Sequence, residues 1–261
     1  MRAAASVAMM SLVSLSLFVL VLPQCGEDSS ESAKPWEIPD RGGRPLEETD
    51  PLPEIDEDDI EVEIVCGQFA LPKYPWLDGR TYLIGEPGKE YAIRIINRSK
   101  AAVRAVVWVD GVNPSTLKFE DESSGWLIGE GKHAAIEGFW LSDNVLGTFV
   151  FTSPEDSLAA HEGLPRERVG EIRVAAYPGW IGMLHQHRNL AALGVGADKS
   201  QEPSGELGTG IGRRIVLSRG GSRLSSGVTF ERAEDRAPVV KALYYDTPQS
   251  LCRRGVWRFC R

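Results

Sequence analysis

Two histidines one residue apart, His185 and His187 in "GMLHQHRNL", stand out as candidate metal ligands in this 261-residue chain. On an extended strand they share a face, and with Met183 they form a nitrogen and sulfur donor set suited to copper or zinc. No cysteine or carboxylate occurs in the 10 residues after His187 to complete a tetrahedral site. Two exposed histidines in a connector is therefore the competing reading. In "FTSPEDSLAAHEG", Asp156, Ser157 and His161 invite a hydrolytic reading, since Ser157 and His161 fall four apart on a helix and face the same way. Catalytic triads draw their members from separate elements, however, and no G-x-S-x-G turn is present. The segment reads instead as a short helix capped by Ser153, begun by Pro154, acidic in its first turn at Glu155 and Asp156, and stopped by Gly163.

Two further segments hold ligand-like residues. "DGVNPSTLKFEDESSG" supplies Asp110, Asn113, Glu120, Asp121 and Glu122 as oxygen donors for calcium, but without the fixed alternation of a calcium-binding loop, so it reads as a solvated loop. "GTGIGRR", residues 208–214, has the glycines of a phosphate cradle. Arg213 onward reads as a strand, which removes the helix N-terminus that such cradles use.

Cysteine use and the first residues bear on compartment. Cys25, Cys66, Cys252 and Cys260 are even in number, but modification of Cys25 would leave three. Cys252 and Cys260 bracket "CRRGVWRFC" and could close a short disulfide loop in an oxidising compartment, and pairing of Cys66 with either of them is the alternative. Arg2 followed by the apolar run Ala3–Leu22 has the layout of a secretory signal, residues 1–24. Leu22-Pro23-Gln24-Cys25 resembles the bacterial lipobox, with Gln24 in place of the usual small residue. Lipidation at Cys25, a soluble secreted product and an uncleaved anchor all place the body outside the cytoplasm.

Residues 27–64 hold 15 acids against Lys34, Arg41 and Arg44, a balance of −12. With the whole chain at −8 and residues 1–26 at +1, residues 65–261 carry +3, so the acidity belongs to the tether. Its prolines and lack of aliphatics mark residues 25–59 as a disordered, self-repelling linker.

From Ile60 the pattern turns to short apolar runs separated by turn signals: 60–66, 81–85, 90–97, 101–111, 125–131, 133–141, 145–153 and 170–178. Tyr91, Ile93 and Ile95 alternating with Glu90, Ala92 and Arg94 is the period of a half-buried strand. The expectation is a mainly β fold, an antiparallel immunoglobulin-like sandwich over 60–180, a flexible linker over 181–207 and a small basic β-rich appendage over 208–261. From Gly205 onward 11 basic residues face five acids. Anionic lipid, polysaccharide or an acidic partner could meet that surplus, though arginines alternating with apolar residues more simply form a solvated face. Nucleic acid is not indicated, because no binding fold for it is recognisable.

The words "VDGVN", "GWLIGEGKHAAIEGFWLS", "FVFTSPEDSLAA", "GTGIGRR", "FERA" and "YYDTPQSL" resemble, in the same order, those of an uncharacterised family of bacterial secreted proteins. The resemblance implies a bacterial origin and a joint unit of sandwich and tail, and it carries no catalytic residues. The sequence thus points to a membrane-anchored envelope lipoprotein acting as a non-catalytic binding or structural module. Trp76, Trp126 and Trp140 are candidate contacts for an envelope protein or polysaccharide. The alternative is a secreted metal-binding protein or metalloenzyme built on His185 and His187.

Overall fold

The strands begin at Ile60, where an acidic run of sequence gives way to β-branched residues. The computed structural model describes residues 52–183, 205–216 and 228–256. In chain order these form β1 (Ile60–Cys66), β2 (Phe69–Ala70), β3 (Tyr74–Pro75), β4 (Thr81–Ile84), β5 (Glu90–Asn97), β6 (Ala102–Val109) and β7 (Trp126–Ile128). There follow β8 (His133–Ile136), β9 (Gly138–Ser142), β10 (Val145–Thr152) and α1 (Leu158–His161), then β11 (Glu171–Met183), β12 (Gly208–Val216), β13 (Val228–Arg232), β14 (Val239–Asp246) and α2 (Pro248–Arg253).

Alternation decides which face each strand buries. In β1 the side chains of Ile60, Val62 and Ile64 are buried, while Glu61 and Glu63 pair with Arg98 and Arg94 at 2.5 Å each. In β5 Tyr91, Ile93, Ile95 and Asn97 are buried in the expected rhythm. Among the described residues two sheets result. One runs β12, β10, β5, β1, β2, with β8 also on β5 and β9 also on β10. The other runs β3, β4, β14, β11, β6, β7, with β13 also on β11. Pairing is antiparallel except between β14 and β4, which run parallel. Ile64, Ile93, Ile95 and Phe149 from the first sheet share a single core with Val107, Ile172, Val174 and Leu243 from the second.

Three expectations need correction. Both linkers are shorter than expected: Leu52 is buried against Ala101 and Ala233 and Glu57–Asp59 form a 3-10 turn, while Ile181, Gly182 and Met183 continue β11 against β13 and Leu207 is buried in the core. The described parts of 208–261 are not an appendage. Gly208–Val216 pairs along β10 in the first sheet, and β14 lies between β4 and β11 in the second. The physical reason is backbone satisfaction: the edge of β11 from Glu171 to Ala176 would present unpaired N–H and C=O groups without β14. The run 133–141 is also not one strand. It breaks at Glu137, so that β8 serves β5 and β9 serves β10.

β6 and β11 are buried on both faces. Val103, Ala105 and Val107 join the shared core, whereas Val106 and Trp108 form a separate cluster with Ala175 and Tyr177 on the outer face. That face stays dry because residues 113–125 fold back across it.

The break at Glu137 permits a close backbone approach. A Cβ on Gly138 would stand 2.0 Å from the Gly147 carbonyl oxygen, a contact that only main-chain movement relieves. Gly138→Ala should lower unfolding stability by about 3 kcal/mol, read from urea denaturation at constant m-value. A loss below about 1 kcal/mol would show that β9 does not hold this register.

Candidate functional site

The sequence Val109-Asp110-Gly111-Val112 makes a tight two-residue turn at the end of β6. Val109 and Val112 exchange both backbone hydrogen bonds at 2.9 Å, and Asp110 and Gly111 take φ of 54° and 78°. Positive φ at both central positions is the type I′ geometry that Asp-Gly favours. The turn drives the Asp110 side chain inward, where it is 1% exposed.

A carboxylate buried this deeply must be satisfied by protein groups. Its Oδ1 accepts from the Gly170 N–H at 2.9 Å and the Tyr245 hydroxyl at 2.5 Å, and its Oδ2 accepts from the Thr209 N–H at 2.5 Å. The Tyr245 oxygen lies 2.6 Å from Thr209 Oγ1, which lies 2.7 Å from the Tyr91 hydroxyl. A line of hydroxyls therefore runs from β5 and β12 of the first sheet to β14 and the Asp110 turn of the second. Burial pushes Asp110 up to about 7, against the hydrogen bonds from Tyr245, Thr209 and Gly170 that favour its charge. Burial first, then the Asp110 charge, holds both Tyr91 and Tyr245 well above the ordinary tyrosine value. Ionised Asp110 requires Tyr245 to donate to it. Once protonated, Asp110 becomes a donor itself and the hydroxyl line can reverse.

Asp246 is a second buried carboxylate, next in sequence to Tyr245. It accepts from Ser250 Oγ at 2.6 Å and the Glu206 N–H at 3.0 Å, with Arg254 at 3.2 Å, and so ties β14 to α2. Burial raises its pKa, with the Ser250 bond working against that rise.

Above the Asp110 turn, outside the second sheet, lies a cationic and aromatic face. Trp108 pairs across the strands with Arg173, and Tyr177 with Arg104. The Arg173 guanidinium stands 4.4 Å over the Trp108 ring, and Arg232 and Arg104 stand 3.8 and 5.6 Å from the Tyr177 ring. The 113–125 segment covers this face through its acids. Glu120 pairs with Arg173 and, at 3.5 Å, with Arg168, while Glu122 accepts from the Tyr177 hydroxyl at 2.9 Å. Burial, and next the bond to Glu122, pushes Tyr177 up to about 12. Asn113 fastens the segment internally, donating to the carbonyls of Asp121 and Ser124.

This arrangement corrects the reading of 110–125 as a solvated loop. Of its five acids and amides, Asp110 points into the core, Asn113 bonds to backbone, Asp121 accepts from Ser123, and Glu120 and Glu122 engage the sheet. Their oxygens are thus spent in different directions. Ser157 is also spent: it is fully buried, donates to the Pro154 carbonyl at 2.7 Å and caps α1 at the Ala160 N–H, whereas His161 is exposed. The helix expected from Pro154 is in fact two pieces, a 3-10 turn Pro154–Asp156 capped by Ser153 and α1 capped by Ser157. The glycines of "GTGIGRR" lie within β12, not in a cradle. A Cβ on Gly208 would meet Ser157 at 2.8 Å, and one on Gly212 would meet Thr148 Oγ1 at 2.7 Å, so these glycines serve packing.

Met183 ends β11, its backbone paired with Val228, and His185 and His187 lie outside the described residues. Among the described residues no group of three or more histidines, cysteines or acids is placed to hold a metal. Cys252 is in a disulfide and Cys66 is a free thiol, which removes the alternative pairing of Cys66; Cys25 and Cys260 lie outside the described residues. Trp76, Trp126 and Trp140, offered as contacts, are all half-buried. The most exposed large apolar side chains among the described residues are Leu77 at 91% and Phe69 at 78%. Sequence reasoning missed Arg104, Trp108, Arg173 and Tyr177. The available signal was the second face of each strand, since Arg104, Val106 and Trp108 and likewise Arg173, Ala175 and Tyr177 recur at a period of two. No family model matches the chain, and no curated protein or solved structure does so either.

Because Asp110 holds its proton up to about 7 in the folded chain, against 3.8 ordinarily, its contribution to stability is full below 3.8 and lost as pH rises through 7. The melting temperature of the wild type relative to Asp110→Asn should therefore fall steadily between pH 4 and 8, and a difference independent of pH would refute the buried titration. Tyr245→Phe deprives the ionised carboxylate of its hydroxyl donor and should cost about 1–3 kcal/mol at pH 8 in chemical denaturation.

Proposed function

We propose that the chain is a lipid-tethered protein of the bacterial cell envelope whose immunoglobulin-like sandwich is a non-catalytic binding module. The observation that carries the non-catalytic reading is the use of its reactive groups. Ser157 is consumed in a helix cap, and Asp110 and Asp246 are closed into the scaffold away from solvent. These groups make struts. Of the buried polar groups left incomplete among the described residues, Arg104 Nε, Trp108 Nε1 and Glu120 Oε1 lie at the outer face of the second sheet, where a partner would meet them.

Two sheets around one core support the sandwich, and the parallel β14 and β4 pair departs from the usual immunoglobulin pattern. The address rests on sequence: an apolar run, Leu22-Pro23-Gln24-Cys25, and then a tether at −12 that like-charge repulsion extends away from an anionic surface. The likeness of the "VDGVN" to "YYDTPQSL" words to secreted bacterial proteins agrees with this address. With Cys66 free, acylation of Cys25 leaves Cys260 as the partner of Cys252. The partner of the module is an envelope protein or polysaccharide.

Intact-mass analysis of the mature protein extracted from its native membrane tests this reading. It should begin at Cys25 with added acyl mass and yield a Cys252-to-Cys260 peptide on non-reducing digestion. A soluble product that starts elsewhere would refute the anchor.

A further inference from the structure

The outer face of the second sheet holds hydrogen-bonding capacity that the fold itself leaves unused. Trp108 is 3% exposed, yet its indole N–H has no acceptor, and the Arg104 Nε is likewise buried without one. An unpaired buried donor costs about 1–3 kcal/mol, a penalty the fold has no packing reason to keep. Trp108 lines a crevice whose other walls are Gly111, Glu120, Arg168, Glu171 and Arg173. With Glu120 as one wall, the crevice leaves no room for a water.

Glu120 fits this seat poorly. It reaches it only by taking φ of 51°, and Leu117 in the same segment takes 58°, both in the left-handed region that side chains disfavour. Its Oε2 engages Arg173, but its Oε1 is buried with no hydrogen bond, at ion-pair distance only from Arg168. Two residues on, Glu122 meets the Tyr177 hydroxyl. The covering segment thus shows what the face recognises: carboxylates two residues apart, the spacing that puts side chains on one side of an extended chain.

We propose that Arg168, Arg173 and the Trp108 indole N–H form a carboxylate seat for an acidic peptide with Glu-x-Glu spacing, in which Glu120 sits in cis as a displaceable stand-in. The proposal rests on the reading of the domain as a binding module and names the chemistry of its partner. An external strand supplies both carboxylates without left-handed residues. It brings an acceptor to the orphaned indole and gains charge-assisted bonds from guanidinium groups already ordered by their rings. Beneath the cover this face carries four arginines, Arg104, Arg168, Arg173 and Arg232, against Glu171, which pairs with Arg168 at 3.3 Å, and the cationic surplus favours an acid over a neutral ligand. The 113–125 segment keeps the face covered until such a partner arrives.

The test uses the full chain in detergent and a fluorescein-labelled peptide with the sequence of residues 117–125, LKFEDESSG, followed by anisotropy. Glu120→Gln keeps the side chain's shape and removes its charge, and should tighten peptide binding about tenfold over wild type, the worth of one charge-assisted bond. In that background Arg173→Gln should abolish binding. Trp108→Phe, which keeps a ring under Arg173 and removes the N–H, should weaken it severalfold, and it decides the matter if the arginine variant fails to fold. A Glu120→Gln protein with wild-type melting behaviour and unchanged affinity would overturn the proposal, as would equal binding of a peptide with its acids replaced by amides. Binding of oligogalacturonate without binding of the peptide would overturn it in favour of a polysaccharide. The mass measurement at Cys25 does not depend on these outcomes, so anchor and seat fail separately.

Discussion

A charged side chain carried into a dry interior demands donors, and Asp110 obtains them from places far apart in the chain. The Gly170 N–H comes from the turn before β11, the Thr209 N–H from β12 and the hydroxyl from Tyr245 on β14. Removing any one leaves a buried acceptor short of a partner, a larger penalty than the loss of one ordinary hydrogen bond. The demand therefore fixes how the two sheets close at this end. It also explains the tight fit around Gly208, which brings β12 beside Ser157 and Val169 and within reach of the carboxylate.

Above this interior joint sits the outer face, and the two share a turn. Asp110 points inward, while Gly111 lies beneath Phe119 and next to Arg168, where a Cβ would stand 2.4 Å from the Phe119 ring. The segment covering Trp108 and Tyr177 thus springs from the turn that the buried carboxylate holds rigid. Rigidity below and a strained cover above are complementary: a cover can be displaced only from a base that stays in place.

Much of the scaffold was legible in the residues themselves. The strands at 60–66 and 90–97 have the limits that alternation assigned, because each buries one face and leaves the other wet. The short β2 and β3 escaped notice, since two residues cannot show a period. Treating 208–261 as an appendage failed for a different reason: local pattern reports that a strand exists and is silent about its neighbours. The words "VDGVN", "GTGIGRR" and "YYDTPQSL" contain Asp110, Thr209 and Tyr245. Each word stands apart in the chain, and only three-dimensional closure brings their side chains into hydrogen bonds with one another. The arginine and aromatic face stayed hidden because β6 and β11 are buried on both sides, so their outward residues lack the exposed polar signature of a wet face.

The placement of β14 sets an order of events as the chain is made. Thr81 lies beside Leu243 in the one parallel pairing among the described strands, so β4, paired early only with the two-residue β3, joins the rest of its sheet after nearly the whole body has been synthesised. Parallel contacts between such distant residues form late, since loop closure must precede any gain from them. Until residue 246 is available, the second sheet lacks an interior strand and the Asp110 carboxylate lacks its hydroxyl. A chain whose second sheet is incomplete until its last interior strand arrives keeps that sheet open while it is made, and the fold locks in one late step.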